Sequence, residues 1–218
     1  LSVALALDSE GTSGSTDRVA QAIRWCRIAQ KVDIISLSLG GSPSEFTSNI
    51  DSQTNLAVQE ALDSGIFVVA AAGNTGLSLD INDVSQPSSL PGVISVGAIS
   101  KSGNVWGSSA FGSSIDRATG EERIFPNQKP EVVAPGVNIF STASSTLSSP
   151  YAYSSGTSDS TVFVTGALAL IIQQCRDSIE GSDGYVDENE MMLVKHALAR
   201  SSNSCLLYTS PSPRDNGR

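Results

Sequence analysis

Along this chain, hydrophobic positions switch repeatedly between unbroken or alternating runs and a spacing of three to four residues. Residues 1–7 alternate small and apolar side chains (Val3, Leu5, Leu7) and predict a strand, followed by a Ser/Gly/Thr loop from Asp8 to Thr16. Val19, Ala22, Ile23, Cys26, Ile28 and Ala29 then fit one helical face, with Asp17 well placed in the first turn. The apolar run 33–39 predicts the next strand, and a Ser/Pro-rich loop (42–50) separates it from a helix through Leu56, Ala57, Ala61 and Leu62 that Gly65 stops. Strands follow at 66–72, 93–98 and 132–134, the last turning at Pro135-Gly136. The β-α-β-α-β order predicts parallel strands joined by right-handed crossovers. Strands that are apolar throughout predict a sheet covered on both faces.

Residues 73–91 read as a long surface loop, 100–128 as an exposed excursion, and a loop with Tyr151 and Tyr153 precedes Gly156-Thr157-Ser158-Asp159. There a helix begins, carrying the longest apolar run of the chain, from Val162 to Ile172. With almost no polar face it is expected to be buried all round, and Gly166 to mark the close approach of another backbone. Ser158 has two readings: a plain helix cap, or a nucleophile whose oxyanion the unpaired N–H groups of the first turn could stabilise. An acidic loop, 177–190, and a final helix, 187–200, close the pattern.

Four stretches together resemble the subtilisin-like serine peptidases. They are the strand ending Ser38-Leu39-Gly40-Gly41, the turn Ala71-Ala72-Gly73-Asn74, the segment Lys129-Pro130-Glu131…Ala134-Pro135-Gly136, and Gly156-Thr157-Ser158, all in the family's order. The resemblance covers roughly residues 1–200 and implies a three-layer α/β/α domain with a mostly parallel sheet. It implies an endopeptidase in which Ser158 attacks the peptide bond and Asn74 donates a side-chain N–H to the oxyanion. Ser38, Leu39, Gly40 and Gly41 would pair with an extended substrate, and Ala71, Ala72 and Gly73 would wall the pocket beside them. No cofactor is required, although the resemblance allows a structural calcium ion. Protein or peptide substrates, a monomeric state and an extracytoplasmic location go with it.

Two departures bear on activity. Asp159 stands where the family has an apolar residue, and a carboxylate aimed into the site would oppose oxyanion formation. The family's Asp and His contexts are also missing. Leu1-Ser2-Val3-Ala4-Leu5 resembles the strand that follows the family's His helix, so both partners are expected upstream of residue 1. The only histidine, His196, lies after the serine in the final helix and reads as a surface or packing residue, not the base. A catalytically inactive subtilisin-like binding module is the competing reading. A doubly wound nucleotide-binding protein shares the β-α-β pattern, but no Gly-x-Gly-x-x-Gly or phosphate-loop lysine follows the first strands.

Composition narrows the rest. The 218 residues carry a formal charge of −9, with no basic cluster, which argues against nucleic acid and anionic membranes as partners. No apolar run reaches the length of a membrane span. The cysteines Cys26, Cys175 and Cys205 lack metal-ligand spacing, and Cys26 and Cys175, each in a helical pattern, read as buried free thiols. The stretch from Cys205 to Asp215 resembles a translated sequencing adapter, so residues 1–204 are taken as the peptidase-like part and 205–218 as a non-native tail.

Overall fold

The computed structural model describes residues 1–8, 16–41, 53–76, 83–116, 119–144, 149–180 and 184–202. The expected loop 42–50 and the tail 205–218 lie outside the described residues, as do parts of the loops at 8–16 and 73–91. The apolar runs form strands β1 (Ile34–Leu37), β2 (Phe67–Ala71), β3 (Ile94–Ile99) and β4 (Val132–Pro135), each close to its expected place. They lie in the order β1-β2-β3-β4, and every neighbouring pair is parallel. Ile35 pairs with Val68, Ala70 with Ser95, and Ala98 with Ala134.

All five residues of β2 are buried, so the sheet needs a helical layer on each side. One layer is α1 (Thr16–Trp25) with α2 (Gln53–Leu62); the other is α3 (Thr157–Ile179), which crosses all four strands. Val19, Ile23, Val58, Val69, Val96, Val164 and Leu168 meet in the core between them. The result is the expected three-layer α/β/α arrangement. A π-helical turn, Cys26–Gln30, widens the end of α1 before Lys31 adopts a left-handed conformation at φ 49°.

The last helix, α4 (Glu188–Ser201), starts at a capping box: the Asp187 side chain accepts from Glu190 N, and the Glu190 side chain accepts from Asp187 N. Its Lys195 reaches the base of the sheet, where Lys129 and Lys195 both bond Glu131 Oε1 at 2.8 Å, and Glu131 Oε2 accepts from Ser95 N. Burial pushes the Lys129 ammonium down to about 7, against the raising effect of Glu131.

Several expectations are corrected. Residues 1–7 form no strand, and Leu1, Val3 and Leu5 are exposed. A strand needs a hydrogen-bonded neighbour, and a cavity of about 1070 Å³ separates these residues from β1. Helix α3 is buried on one face only: Val162, Phe163 and Leu170 are exposed, and a Cβ on Gly166 would meet nothing within 4 Å. The sheet covers one side of this helix, and no described element packs on its outer side. Cys175 is exposed on it, and Cys26 is only half-buried. Tyr151–Ser154 form a strand, β6, which pairs antiparallel with β5 (Ile139–Thr142) instead of looping. Within 73–91 and 100–128, Asp83, Val84, Ser85, Ser109, Ala110 and Arg123 are buried. Arg123 there bonds both oxygens of Asp83 at 2.7 and 3.2 Å, which lets polar loops serve as interior. The acidic loop is shorter than expected, because α3 runs to Ile179 and α4 starts at Glu188.

Candidate active site

The C-terminal ends of parallel strands point one way, so the segments that follow them gather at one edge of the sheet. Ser38–Gly41 follow β1, Ala72–Asn74 follow β2, and Gly136 follows β4. The N-terminus of α3 meets them there. Ser38 Oγ donates to Ser158 O at 3.2 Å, and Ser158 Oγ lies 3.4 Å from Ser38 O.

The turn leading into α3 is held by backbone fit. Gly156 N donates to Gly136 O, and Ser160 Oγ donates to Ala134 O. A Cβ on Gly136 would fall 2.1 Å from Ser160 Oγ and 2.7 Å from Gly156 O, so only glycine fits beneath the serine. This is the physical content of the Ala-Pro-Gly segment.

Thr157 organises the donors. Its backbone N–H and its Oγ1 both donate to Asn74 Oδ1, at 3.0 and 2.9 Å, while Gly73 N donates to Thr157 Oγ1. The carboxamide oxygen of Asn74 is thereby engaged twice, and the amide nitrogen is turned outward. It lies 3.5 Å from the point where a Gly156 side chain would begin, and Ser158 N lies 3.6 Å from the same point. Ser158 N has no backbone partner among the described residues, as the first turn of a helix leaves it. Two N–H-bearing nitrogens thus lie within 3.6 Å of one point at Gly156, an arrangement suited to an oxyanion.

Of the anticipated residues, Ser38 and Gly40 are exposed and Gly41 and Gly73 half-buried around this space. The half-buried Leu39 packs on the core, and Ala71 and Ala72 are buried behind the wall. The half-buried Asp159 accepts from Ser154 Oγ of β6 through Oδ1, and its Oδ2 lies 3.6 Å from the same Gly156 point. His196 packs edge-on against Phe125 at 4.8 Å. Sequence reasoning assigned no role to Thr157. Its signal was a hydroxyl just before the candidate nucleophile, but the partner stands 83 positions away.

No three side chains able to hold a metal cluster among the described residues. Asp187 and Glu190 are engaged in the capping box, Glu180 pairs with Arg176, and Asp83 and Asp116 pair with Arg123. No described helix is long and apolar enough to cross a membrane.

A profile described as the subtilase family matches residues 2–212. Subtilisin E of Bacillus subtilis (strain 168) is 35% identical over 188 residues, covering 83% of this chain and 42% of that protein. An intracellular serine protease of Paenibacillus polymyxa is 39% identical over 214 residues, covering 97% of this chain and 55% of that protein. Among solved structures, the self-cleaved protease domain of PatA superposes with a TM-score of 0.66 at 23% identity, over 91% of this chain and 64% of that one. Sphericase gives 0.63 at 27% identity, over 89% and 57%. The chain therefore spans about half the length of the relatives it matches.

Proposed function

The chain belongs to the subtilase family, and from that premise we propose that it carries the nucleophile and oxyanion site of a serine endopeptidase. Ser158 Oγ attacks the carbonyl carbon of a peptide bond, and the carbonyl oxygen gains charge between Ser158 N and Asn74 Nδ2. Collapse breaks the C–N bond and leaves an acyl-enzyme ester on Ser158, which water hydrolyses. The observation that supports this reading is the double hydrogen bond from Thr157 to Asn74 Oδ1, which leaves the amide nitrogen as the donor available to an oxyanion.

A serine hydroxyl needs a base to take its proton and return it to the leaving amine. Among the described residues, Ser158 Oγ has only Ser38 O as a partner. We assign the base and its carboxylate to a segment outside this chain, packed into the cavity beside β1. That cavity is lined by Val3, Ile34, Leu37, Val162 and Ile172, and among the described residues no strand pairs with the outer edge of β1. A strand seated there would leave the sheet on the same side as Ser38 and Ser158.

A fluorophosphonate probe, which reacts with activated serines, tests the assignment. The full-length protein carrying this chain should be labelled at Ser158, Ser158→Ala should abolish labelling, and residues 1–218 alone should stay unlabelled. Labelling of the chain alone would put a base within it. A folded full-length protein that resists the probe would favour the inactive binding module, for which the Asp159 carboxylate beside the oxyanion space is the specific argument.

A further inference from the structure

Outside the cleft, at the base of the sheet, a lysine, an asparagine and a glutamate meet around one amine. Lys195 of α4 is 2% exposed, and its Nζ donates to Asn127 Oδ1 at 2.6 Å and bonds Glu131 Oε1 at 2.8 Å. Its other bonds go to the carbonyls of Pro91 and Val93. A carbonyl bond is about 1.2 Å long, so an amine bonded to that oxygen lies roughly 3–4 Å from Asn127 Cγ. Attack by a nucleophile starts from about 3–3.5 Å. The site is also overcharged. Lys129 Nζ bonds the same Glu131 Oε1 at 2.8 Å and the same Val93 O at 2.6 Å, so two lysines share one carboxylate oxygen. Burial lowers the Lys129 ammonium to about 7, opposed by Glu131 and aided by the charges of Lys195 and the more distant Arg123. Excess positive charge in a buried site is relieved by giving up a proton. Glu131 Oε1 is within reach of both amines to carry it.

We propose that Lys195 and Asn127 join in an intramolecular isopeptide bond, with Glu131 carrying the protons. Glu131 Oε1 takes a proton from Lys195 Nζ, and the freed lone pair attacks Asn127 Cγ. The tetrahedral carbon then collapses: the Nζ–Cγ bond is kept and the Cγ–Nδ2 bond breaks. Nζ gives up two of its three protons, Nδ2 gains both, and the nitrogen leaves as one ammonium ion, so atoms and charge balance without any oxidant or cofactor. Asn127 is half-buried, which gives the ammonium ion a way to solvent, while Lys195 stays enclosed. The bond ties α4 to the segment before β4, between residues 68 positions apart. A cross-link closing so long a loop restricts the unfolded chain and holds α4 on the sheet.

The test uses the full-length protein carrying Ser158→Ala, so that self-digestion cannot interfere. After incubation at mildly alkaline pH the folded protein is denatured, cut with trypsin and mapped by mass spectrometry. We expect a branched peptide joining the Asn127 segment to the Lys195 segment, lighter than its two arms together by one ammonia. Lys195→Arg and Asn127→Ala should each abolish it, and Glu131→Gln should slow its formation by about 10²-fold or more. The map of the protein without these three substitutions decides the bond even if a variant folds poorly: separate linear peptides with Lys195 and Asn127 unmodified overturn the proposal. Loss of ammonia at Asn127 that persists in Lys195→Arg also overturns it, because the asparagine has then closed on its own backbone. A branched peptide that forms at full rate in Glu131→Gln overturns the role given to Glu131.

Discussion

A side-chain amide can donate to an oxyanion only if its oxygen is turned away, and at Asn74 that choice is made by one neighbour. Thr157 gives Asn74 Oδ1 two hydrogen bonds, so Nδ2 has no competing orientation of equal energy. In the proposed role the donor meets charge mainly in the transition state, so its loss should appear in turnover and not in affinity. In the full-length protein, Asn74→Ala should lower kcat by about 10²–10³-fold with KM nearly unchanged. This range is carried over from the equivalent donor of a subtilisin. Steady-state kinetics on one peptide decide it: a rise in KM at constant kcat would make Asn74 a ground-state binding residue instead.

Helix α3 joins two kinds of constraint in one element. Its first turn is set by polar contacts, through Thr157, Ser158 and Ser160, and its middle by apolar packing of Val164, Leu168 and Ile172 on the sheet. Gly166 belongs to neither. It is exposed, and a Cβ there would meet nothing within 4 Å. Glycine in a helix interior costs roughly 0.5–1 kcal/mol against alanine through backbone entropy. Gly166→Ala should therefore stabilise residues 1–218 by about that amount, read from urea unfolding. A loss of stability in the chain by itself would mean that Gly166 faces a packed neighbour. The same substitution in the full-length protein then reports whether further chain covers the outer face of α3.

The molecule as a whole carries a polar anchor at the end of the sheet opposite the serine. Lys129 is fully buried, bonded to Leu90 O, Val93 O and Glu131, and faces the ammonium of Lys195 and the more distant Arg123. Burial is the largest influence, and the folded protein releases the Lys129 proton near pH 7, against about 10.5 for the free side chain. Between these values the unfolded chain binds more protons than the folded one, so this lysine makes stability rise as pH climbs from about 7 to about 10. Below pH 7 the proton is held in both states, and the cost of burying the charge is felt in full. Lys129→Met removes the titration. Thermal unfolding measured at several pH values should show wild type gaining on the variant across that window. A gap that does not change with pH would mean that Lys129 keeps its proton when folded.

Local patterns determined a good part of this protein. Apolar runs such as 66–72 and 93–98 became parallel strands because residues buried on both faces must be apolar throughout. Ser158 and Asn74 stand out as candidates because turn glycines and a helix start are written within a few neighbouring residues. Residues 1–7 and the outer face of α3 were misjudged for one reason: apolar character records what can be buried, while a neighbour decides what is. The tertiary structure alone decided the orientation of Asn74, the glycine beneath the serine at 136, and the meeting of Lys195 with Asn127. Each depends on a contact between segments that lie far apart in the chain, at separations over which neither turn chemistry nor hydrophobic periodicity carries information. Short motifs nominate the candidate residues, but their orientation follows from the packing of β1, β2 and β4 around the start of α3.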